Sequence, residues 1–227
     1  MHPSSLDLPP SASPAWIRAL LLRQAVVLPI FAALVILAGD ASDALWRSFG
    51  EELEALQAGS LPFYALWLVP LSVGAVLAPR NFRAPFGLSD RSSGWASVAA
   101  WVVAVGGTAW LYWNSIEAVA QGGPRFERPA TIFVAGAVVA PFAEEWIFRG
   151  VLWKALGGEG FGRSGELVAL AMTSIAFGMW HLPFSPTPVW IHGLFGLLMG
   201  LLRWRTGSLL PCTLLHGLGN AISLVAR

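Results

Sequence analysis

Two adjacent acids inside an apolar stretch are the first candidates for chemistry. In the segment Pro141-Phe-Ala-Glu-Glu-Trp-Ile-Phe-Arg-Gly150, Glu145 precedes Arg149 by four residues, the favourable order for an ion pair on one helical face. Glu144 points about 100° away around the same helix, and no basic residue stands at helical spacing from it. Burial would make its carboxylate a better proton acceptor, so the pattern predicts Glu144 as a general base. Alternatively, both acids only hold helices together by hydrogen bonds.

Further along the chain, His181 follows Phe177 by four residues, so both side chains project from one face at the end of an apolar segment. If the intervening turn lies near residues 157–165, Glu144 and His181 stand at the same level on two antiparallel arms. At ~1.5 Å per residue, each lies roughly 20 Å above the turn. This matching predicts that Glu144 and His181 meet and activate water. Without it, a histidine at a helix end would be interpreted as a packing or interfacial residue.

His216 and Asn220 repeat the four-residue spacing in the last apolar segment. Both offer hydrogen-bond donors for a developing oxyanion or a polarised carbonyl group, or else act as contacts between membrane helices. No polar residue stands at helical spacing from His192, which we interpret as a packing residue or a support for the site. Cys212, the only cysteine, precedes His216 by four residues without a clear third member. Attack by activated water is therefore favoured over nucleophilic catalysis.

The elements that must position these residues are helices in lipid. Of the 227 residues, 56% are hydrophobic and 12% are charged. Ionisable side chains in a membrane cost several kcal/mol each, so they usually face the interior of a helix bundle and mark function. The pattern predicts an all-α fold, a polytopic transmembrane helical bundle with about seven transmembrane helices. The apolar segments are residues 19–37, 61–77, 95–113, 131–156, 167–180, 189–202 and 210–226.

The chain is expected to be one integral membrane domain. We predict a polar N-terminal tail over residues 1–18, transmembrane helices without a motif over 19–130, and a catalytic core over 131–226. The tail lacks a basic stretch followed by a small-residue cleavage site, so we do not expect a removable signal peptide. The net charge of +1 comes without a dense basic run, which argues against a nucleic-acid partner. The expected partners are the lipid bilayer and a membrane protein or peptide substrate.

The basic residues predict the orientation, because cytoplasmic loops of membrane proteins carry the excess of Lys and Arg. A cytoplasmic N-terminus places most of them inside, with Arg149 set aside. The inward set is Arg18, Arg23, Arg80, Arg83, Arg91, Lys154, Arg163, Arg203 and Arg205, and the outward set is Arg47, Arg125, Arg128 and Arg227. Lys154 is the only lysine, and this arginine-rich composition favours a GC-rich bacterial genome. The bacterial inner membrane is therefore the expected location.

Three short motifs follow one another along the last four apolar segments. They are Glu144-Glu145-x-x-x-Arg149, Phe177-x-x-x-His181 and His216-x-x-x-Asn220. In this order they resemble the CPBP family, the CAAX proteases and bacteriocin-processing enzymes, also called the Abi family. The resemblance covers about residues 131–226 and implies an α-helical intramembrane endopeptidase similar to the Ras-converting CAAX prenyl protease. It also implies that Glu145 and Arg149 hold the site together and that Phe177 shapes the pocket.

The resemblance assigns catalytic roles as well. It implies that Glu144 and His181 activate water, and that His216 and Asn220 form the oxyanion site. The family is often labelled as metalloproteases, and in that case Glu144, His181 and His216 would bind zinc. The spacing is not His-Glu-x-x-His, and one carboxylate would have to be either ligand or base. A mechanism that requires no metal or other cofactor is therefore favoured, with zinc as the alternative.

Two other kinds of function remain open. One is a non-enzymatic membrane scaffold or bacteriocin-immunity protein that uses its polar helices for binding. The other is a proton-coupled transporter, since Glu and His in a helix bundle can relay protons. The favoured function is hydrolysis of a peptide bond near the C-terminus or a membrane segment of a protein or peptide. The sequence does not predict the identity of that substrate.

Overall fold

The computed structural model describes residues 95–121, 133–159, 161–182 and 187–226, with isolated helical positions between residues 18 and 33. These residues form helices and no strand, which confirms the all-α class for this part of the chain. The predicted segment 61–77, most of 19–37 and most of the N-terminal tail lie outside the described residues. The count of about seven helices therefore stays a prediction.

The described helices follow the predicted apolar segments closely. They are α1 (Trp95–Leu111), α2 (Trp113–Ala120), α3 (residues 135–155), α4 (Gly162–Trp180), α5 (Val189–Thr206) and α6 (Leu210–Val225). The clearest differences from the prediction are three: α4 begins five residues earlier, α5 ends four residues later, and the third segment bends by 68° at Tyr112 and continues as α2. No single described helix is long and apolar enough to cross a membrane, whereas the bent pair of α1 and α2 meets both requirements together.

Helix α3, which carries both central acids, contains two stretches of wide π-helical turns. The first stretch ends two residues before Pro141, which has no N–H to donate to the preceding turn. Such wide turns inside helices are frequent at functional sites. An α-helical stretch lies between the two π-helical stretches, and Glu144 and Glu145 are its last two residues. In order, the helix consists of π-helical Ala135–Val139, α-helical Ala140–Glu145, π-helical Trp146–Leu152 and α-helical Trp153–Ala155.

Two glycines allow the motif-bearing helices to approach their neighbours closely. A Cβ on Gly217 of α6 would lie 2.6 Å from the carbonyl oxygen of Ala137 in α3. A Cβ on Gly178 of α4 would lie 2.7 Å from the carbonyl oxygen of Val189 in α5. Because the opposing atoms are backbone, a side chain at either position would push the helices apart. Buried hydrophobic side chains of α3, α4, α5 and α6 form one core cluster.

The connection between α3 and α4 is a short turn. Gly157 follows α3 with a φ of 98°, a left-handed conformation that favours glycine at the end of a helix. The turn lies at the start of the interval, residues 157–165, in which the sequence predicts it. Glu144 on α3 and His181 at the end of α4 are thereby brought to the same level.

Candidate active site

Glu144, His181 and His216 converge inside the core. Oε2 of Glu144 lies 4.0 Å from Nε2 of His181 and 3.8 Å from Nε2 of His216. Both distances are longer than a hydrogen bond and short enough for one water molecule to bridge. The side chains of Glu144 and His216 are 9% and 4% exposed, whereas the side chain of His181 is 19% exposed. The site is therefore enclosed on the side of His216 and more open beside His181.

The other ring nitrogen of each histidine is held by a hydrogen-bond acceptor. Nδ1 of His181 lies 2.8 Å from the carbonyl oxygen of Phe177, and Nδ1 of His216 lies 2.9 Å from Oε1 of Glu145. A carbonyl and an ionised carboxylate can only accept, so Nδ1 is the donor in both rings. In the neutral rings, each Nε2 then turns a lone pair towards Glu144. Three proton-accepting atoms thus face one point, an arrangement suited to bind and deprotonate water.

Glu145 is shared between Arg149 and His216. Its Oε1 accepts a hydrogen bond from Nη1 of Arg149 at 3.0 Å and one from Nδ1 of His216 at 2.9 Å. Arg149 also donates through Nη2 to the carbonyl oxygen of Gly196 at 2.7 Å, and both members of the ion pair are 0% exposed. The sequence predicts the pairing of Glu145 with Arg149. It does not predict that the same carboxylate reaches His216 on α6.

Phe177 fills the space between the ion pair and His181. Cζ of Arg149 lies 4.5 Å from the centroid of the Phe177 ring, and the ring of His181 lies 4.6 Å from it on centroids. The ring of His216 meets it edge-on at 5.8 Å. Phe177 is 1% exposed, so its ring has little freedom to move. It therefore restricts the positions of the guanidinium group and both imidazoles.

His192 on α5 stacks on the outer face of this arrangement. Its ring lies 4.1 Å from the ring of His181 on centroids, and the two planes differ by 11°. Together with the contact to Phe177, the stack limits rotation of the His181 ring. The sequence suggests only packing or support for His192, because its partner lies on another helix. Spacing along α5 cannot predict this contact, because His181 belongs to a different helix.

Two substitutions of His192 distinguish a role of its ring in stacking from a role of its nitrogens in proton transfer. We expect His192→Phe to keep most of the activity, because a flat ring preserves the stack on His181. We expect His192→Ala to lower kcat about threefold to tenfold, since stacked ring pairs are worth about 0.5–1.5 kcal/mol. Steady-state kinetics of the two variants measures the difference. If His192→Phe is as impaired as His192→Ala, a role in stacking is wrong and a role of the imidazole nitrogens is indicated.

Asn220 lies one helical turn beyond His216 and ties α6 to two other elements. Its Nδ2 donates to the carbonyl oxygen of Gly136 in α3 at 3.0 Å. Its Oδ1 accepts a hydrogen bond from the hydroxyl of Tyr112 at 3.3 Å, at the bend between α1 and α2. Both are interhelical contacts, as in the second interpretation of the motif. Nδ2 carries a further hydrogen, which an oxyanion role would use.

Pro141 explains why a side-chain donor is needed at Gly136. The amide of Ala140 donates to the carbonyl of Ala135, five residues earlier, in the π-helical pattern. The next donor in that pattern would be residue 141, where proline has no N–H. Buried carbonyl groups are nearly always hydrogen-bonded, and Asn220 supplies the donor for Gly136. One part of the role of Asn220 is therefore structural.

Cys212 contributes to helix packing. It is fully buried, and its thiol donates to the carbonyl oxygen of Met199 at 3.2 Å, which links α6 to α5. The thiol therefore points towards a backbone carbonyl group and takes part in a structural hydrogen bond. The preference for activated water over a cysteine nucleophile accordingly stays in place as a prediction.

The zinc alternative requires Glu144, His181 and His216 to act as a set of ligands. Within the part of the chain that the structure describes, no group of three or more His, Cys, Asp or Glu side chains is arranged so that it could hold a metal ion. The three side chains face one another across 3.8 Å and 4.0 Å without forming such a group. The metal-free mechanism stays a prediction, and no reaction step below passes through a metal.

A carboxylate facing two imidazoles inside a packed set of helices defines a class of helical proteins with a buried acid–base centre. Residues 126–222 match a family model described as Rce1-like, Type II CAAX prenyl endopeptidase Rce1-like. This match supports the CAAX protease family for the segment and confirms the resemblance carried by the three motifs. The family consists of membrane-embedded proteins, and the match supports a protease of the CAAX type at the level of the family. The chain matches no curated protein and no solved structure.

Proposed function

We propose that this protein is an intramembrane endopeptidase that cleaves its substrate with a water molecule activated by Glu144 and His181. The observation that carries the proposal is the convergence of Glu144 Oε2 with two imidazole Nε2 atoms, at 4.0 Å and 3.8 Å. All three residues lie inside the segment that matches the protease family. Since buried ionisable groups are costly, their assembly at one point supports a shared chemical role.

The first step is the attack of water on the scissile amide. Water bound between Glu144 and His181 gives one proton to the Glu144 carboxylate as its oxygen forms a bond to the carbonyl carbon. The second hydrogen of the water is held by Nε2 of His181, which orients the oxygen for attack. The carbonyl π electrons move onto oxygen and produce a tetrahedral oxyanion. Charge and protons balance, because the carboxylate becomes neutral as the oxyanion forms.

The second step stabilises and then collapses this oxyanion. In this mechanism His216 is protonated before the water attacks and keeps that proton throughout, so its Nε2 is a donor while Nδ1 stays bonded to Glu145, whose carboxylate stabilises the imidazolium. His216 and the remaining Nδ2 hydrogen of Asn220 then donate to the oxyanion. Glu144 returns its proton to the amide nitrogen as the carbon–nitrogen bond breaks. The products are a carboxylic acid and an amine, and Glu144 is again ionised.

We further propose a substrate and a setting for the reaction. The substrate is a membrane protein or peptide, cut near its C-terminus or within a membrane segment. The protein is a bundle of about seven transmembrane helices in the bacterial inner membrane, with its N-terminus in the cytoplasm and residues 131–226 as its catalytic core. Three observations support this setting: the match to a membrane-embedded family, the bent apolar pair of α1 and α2, and the distribution of basic residues.

The metal-free mechanism gives a direct prediction. We expect protein purified in detergent and dialysed against a chelator to keep its cleavage rate, because Glu144 and His181 alone activate the water. Elemental analysis should then find less than one transition-metal ion per chain. Stoichiometric zinc, with cleavage lost on its removal and regained on its return, would contradict the prediction and favour the zinc alternative.

The proposed function is tested by comparing membrane proteomes. Cells producing wild-type protein are compared with cells producing Glu144→Gln, His181→Ala or, as a control, Glu117→Gln, which changes an exposed glutamate on α2. We expect one precursor to accumulate in the first two variants and not in the control. Equal processing in all four strains would overturn the catalytic assignment. Proton-dependent flux in liposomes, lost in the same variants without any precursor, would instead indicate a transporter.

A further inference from the structure

We propose that Tyr112 is a positioning residue that fixes the side chain of Asn220 for the reaction. Tyr112 lies at the bend between α1 and α2, outside residues 126–222, which match the protease family. The inference rests on the proposed function, because it concerns the oxyanion role of Asn220. The bend between α1 and α2 carries none of the three motifs, and the inference gives it a role in the active site.

Tyr112 contacts one end of the motif on α6 directly and the other end through Phe195. Its hydroxyl donates to Oδ1 of Asn220 at 3.3 Å. Its ring packs against Gly219, where a Cβ would lie 3.0 Å from Cε2 and 3.1 Å from Cζ of the tyrosine. The ring also meets Phe195 edge-on at 5.9 Å, and Phe195 meets His216 in the same way at 4.9 Å. The hydroxyl thus reaches Asn220 directly, while the ring reaches His216 through Phe195.

The hydroxyl matters because an asparagine amide has a broad torsional preference about its terminal bond. The hydrogen bond from Nδ2 to the carbonyl oxygen of Gly136 holds one end of the amide. The hydrogen bond from Tyr112 to Oδ1 holds the opposite end. With both ends held, the plane of the amide is fixed, and so is the direction of its second N–H. Loss of the hydroxyl leaves one tether and lets that donor turn away from the oxyanion.

The test is a double-substitution cycle of Tyr112→Phe and Asn220→Ala. Activity is measured on the precursor that accumulates with Glu144→Gln, supplied to purified enzyme in detergent. We expect Tyr112→Phe to lower kcat about threefold to tenfold, the value of one hydrogen bond, and to leave KM unchanged. In the Asn220→Ala background, the same change should have no further effect, because the residue through which Tyr112 acts is gone.

The matched control is Gln121→Ala, which removes an exposed hydrogen bond to Glu117 on the same bent helix pair. It should leave kcat and the melting temperature unchanged. A fall in kcat for Tyr112→Phe that is fully additive with Asn220→Ala would overturn the inference. So would a fall in melting temperature that accounts for the lost activity, since a purely structural role would produce it.

A second measurement does not depend on activity. The chain contains only three asparagines, Asn81, Asn114 and Asn220, so selective ¹⁵N-asparagine labelling gives a simple side-chain amide spectrum. The Asn220 pair is assigned from its loss in Asn220→Ala. We expect Tyr112→Phe to shift this pair and to speed its exchange with water, leaving the other two unchanged. An unmoved Asn220 signal would show that the contact does not hold the amide and would overturn the inference.

The two readouts separate failure of this inference from failure of the proposed function. If Glu144→Gln accumulates no precursor, the proteolytic function fails, whatever the amide spectrum shows. If Asn220→Ala cleaves the precursor at the wild-type rate, the oxyanion role of Asn220 fails, and the inference about Tyr112 falls with it. If the proteolytic function and the oxyanion role of Asn220 are both supported, but Tyr112→Phe changes neither kcat nor the amide spectrum, only the positioning role of Tyr112 is wrong.

Discussion

Glu144→Gln is expected to lower the cleavage rate by about 10²–10⁴-fold, the contribution of a positioned general base. The substitution keeps the size and shape of the side chain and removes its capacity to take up a proton. Because Glu144 Oε2 lies 4.0 Å and 3.8 Å from the two imidazoles, no direct hydrogen bond to either ring is lost. Binding of substrate should change little, so the loss should appear in kcat, measured on the accumulated precursor.

Glu145→Gln is the natural comparison, because it makes the same chemical change one residue further along the helix. Glu145 carries the hydrogen bonds from Arg149 and His216, so its substitution should lower stability together with activity. Glu144→Gln should lower activity alone, as judged by melting temperature and by the yield of folded protein. Near-wild-type turnover of Glu144→Gln would rule out the assignment of this residue as the base.

Contacts within one helix were predictable from the sequence. The pairing of Glu145 with Arg149 follows from their spacing, and so does the placement of Phe177 and His181 on one face. The meeting of Glu144 and His181 followed from equal distances to a turn, because α3 and α4 are joined too closely to do anything but pack together. In each case, geometry along the chain restricts where the side chains can be.

Contacts between distant helices were not predictable in the same way. The hydrogen bond from His216 to Glu145 and the stack of His192 on His181 depend on how α5 and α6 are rotated about their axes. Short apolar helices leave that rotation undetermined, since nearly every face is hydrophobic. The contact of Tyr112 with Asn220 was not predictable either, because neither proline nor glycine marks the bend at which Tyr112 lies.

The π-helical turns of α3 are a further reason why contacts between helices were not predictable from the sequence. Each residue inserted into a helical turn rotates the following side chains about the axis by roughly 100°. A prediction based on an ideal helix therefore loses phase between residues on opposite sides of Ala135–Val139, and again between residues on opposite sides of Trp146–Leu152. Pro141 is the visible sign of the first interruption, and the sequence contains no equivalent sign of the second. The acids stay in phase with each other because they lie between the two stretches.

Arg149→Met is expected to destabilise the protein by about 3–5 kcal/mol, the usual cost of removing one partner from a buried ion pair. Arg149 is 0% exposed, and its fork bonds Glu145 through Nη1 and the carbonyl oxygen of Gly196 through Nη2. Methionine fills much of the same volume, but it leaves the buried carboxylate of Glu145 without its cation. Arg149→Lys should also be impaired, because a single ammonium group cannot reproduce the geometry of the fork. Unfolding in detergent measures both variants.

The double variant Glu145→Leu with Arg149→Met identifies the source of this loss. Removing both charges together avoids a buried carboxylate without a cation, so the double variant should be more stable than Arg149→Met alone. It should nevertheless be inactive, because His216 loses the carboxylate that holds its Nδ1. Stability that returns without activity would show that the pair serves the reaction through His216. If the double variant is no more stable than Arg149→Met, the loss comes from the contacts of Arg149 with Gly196 and Phe177, and the account based on charge is wrong.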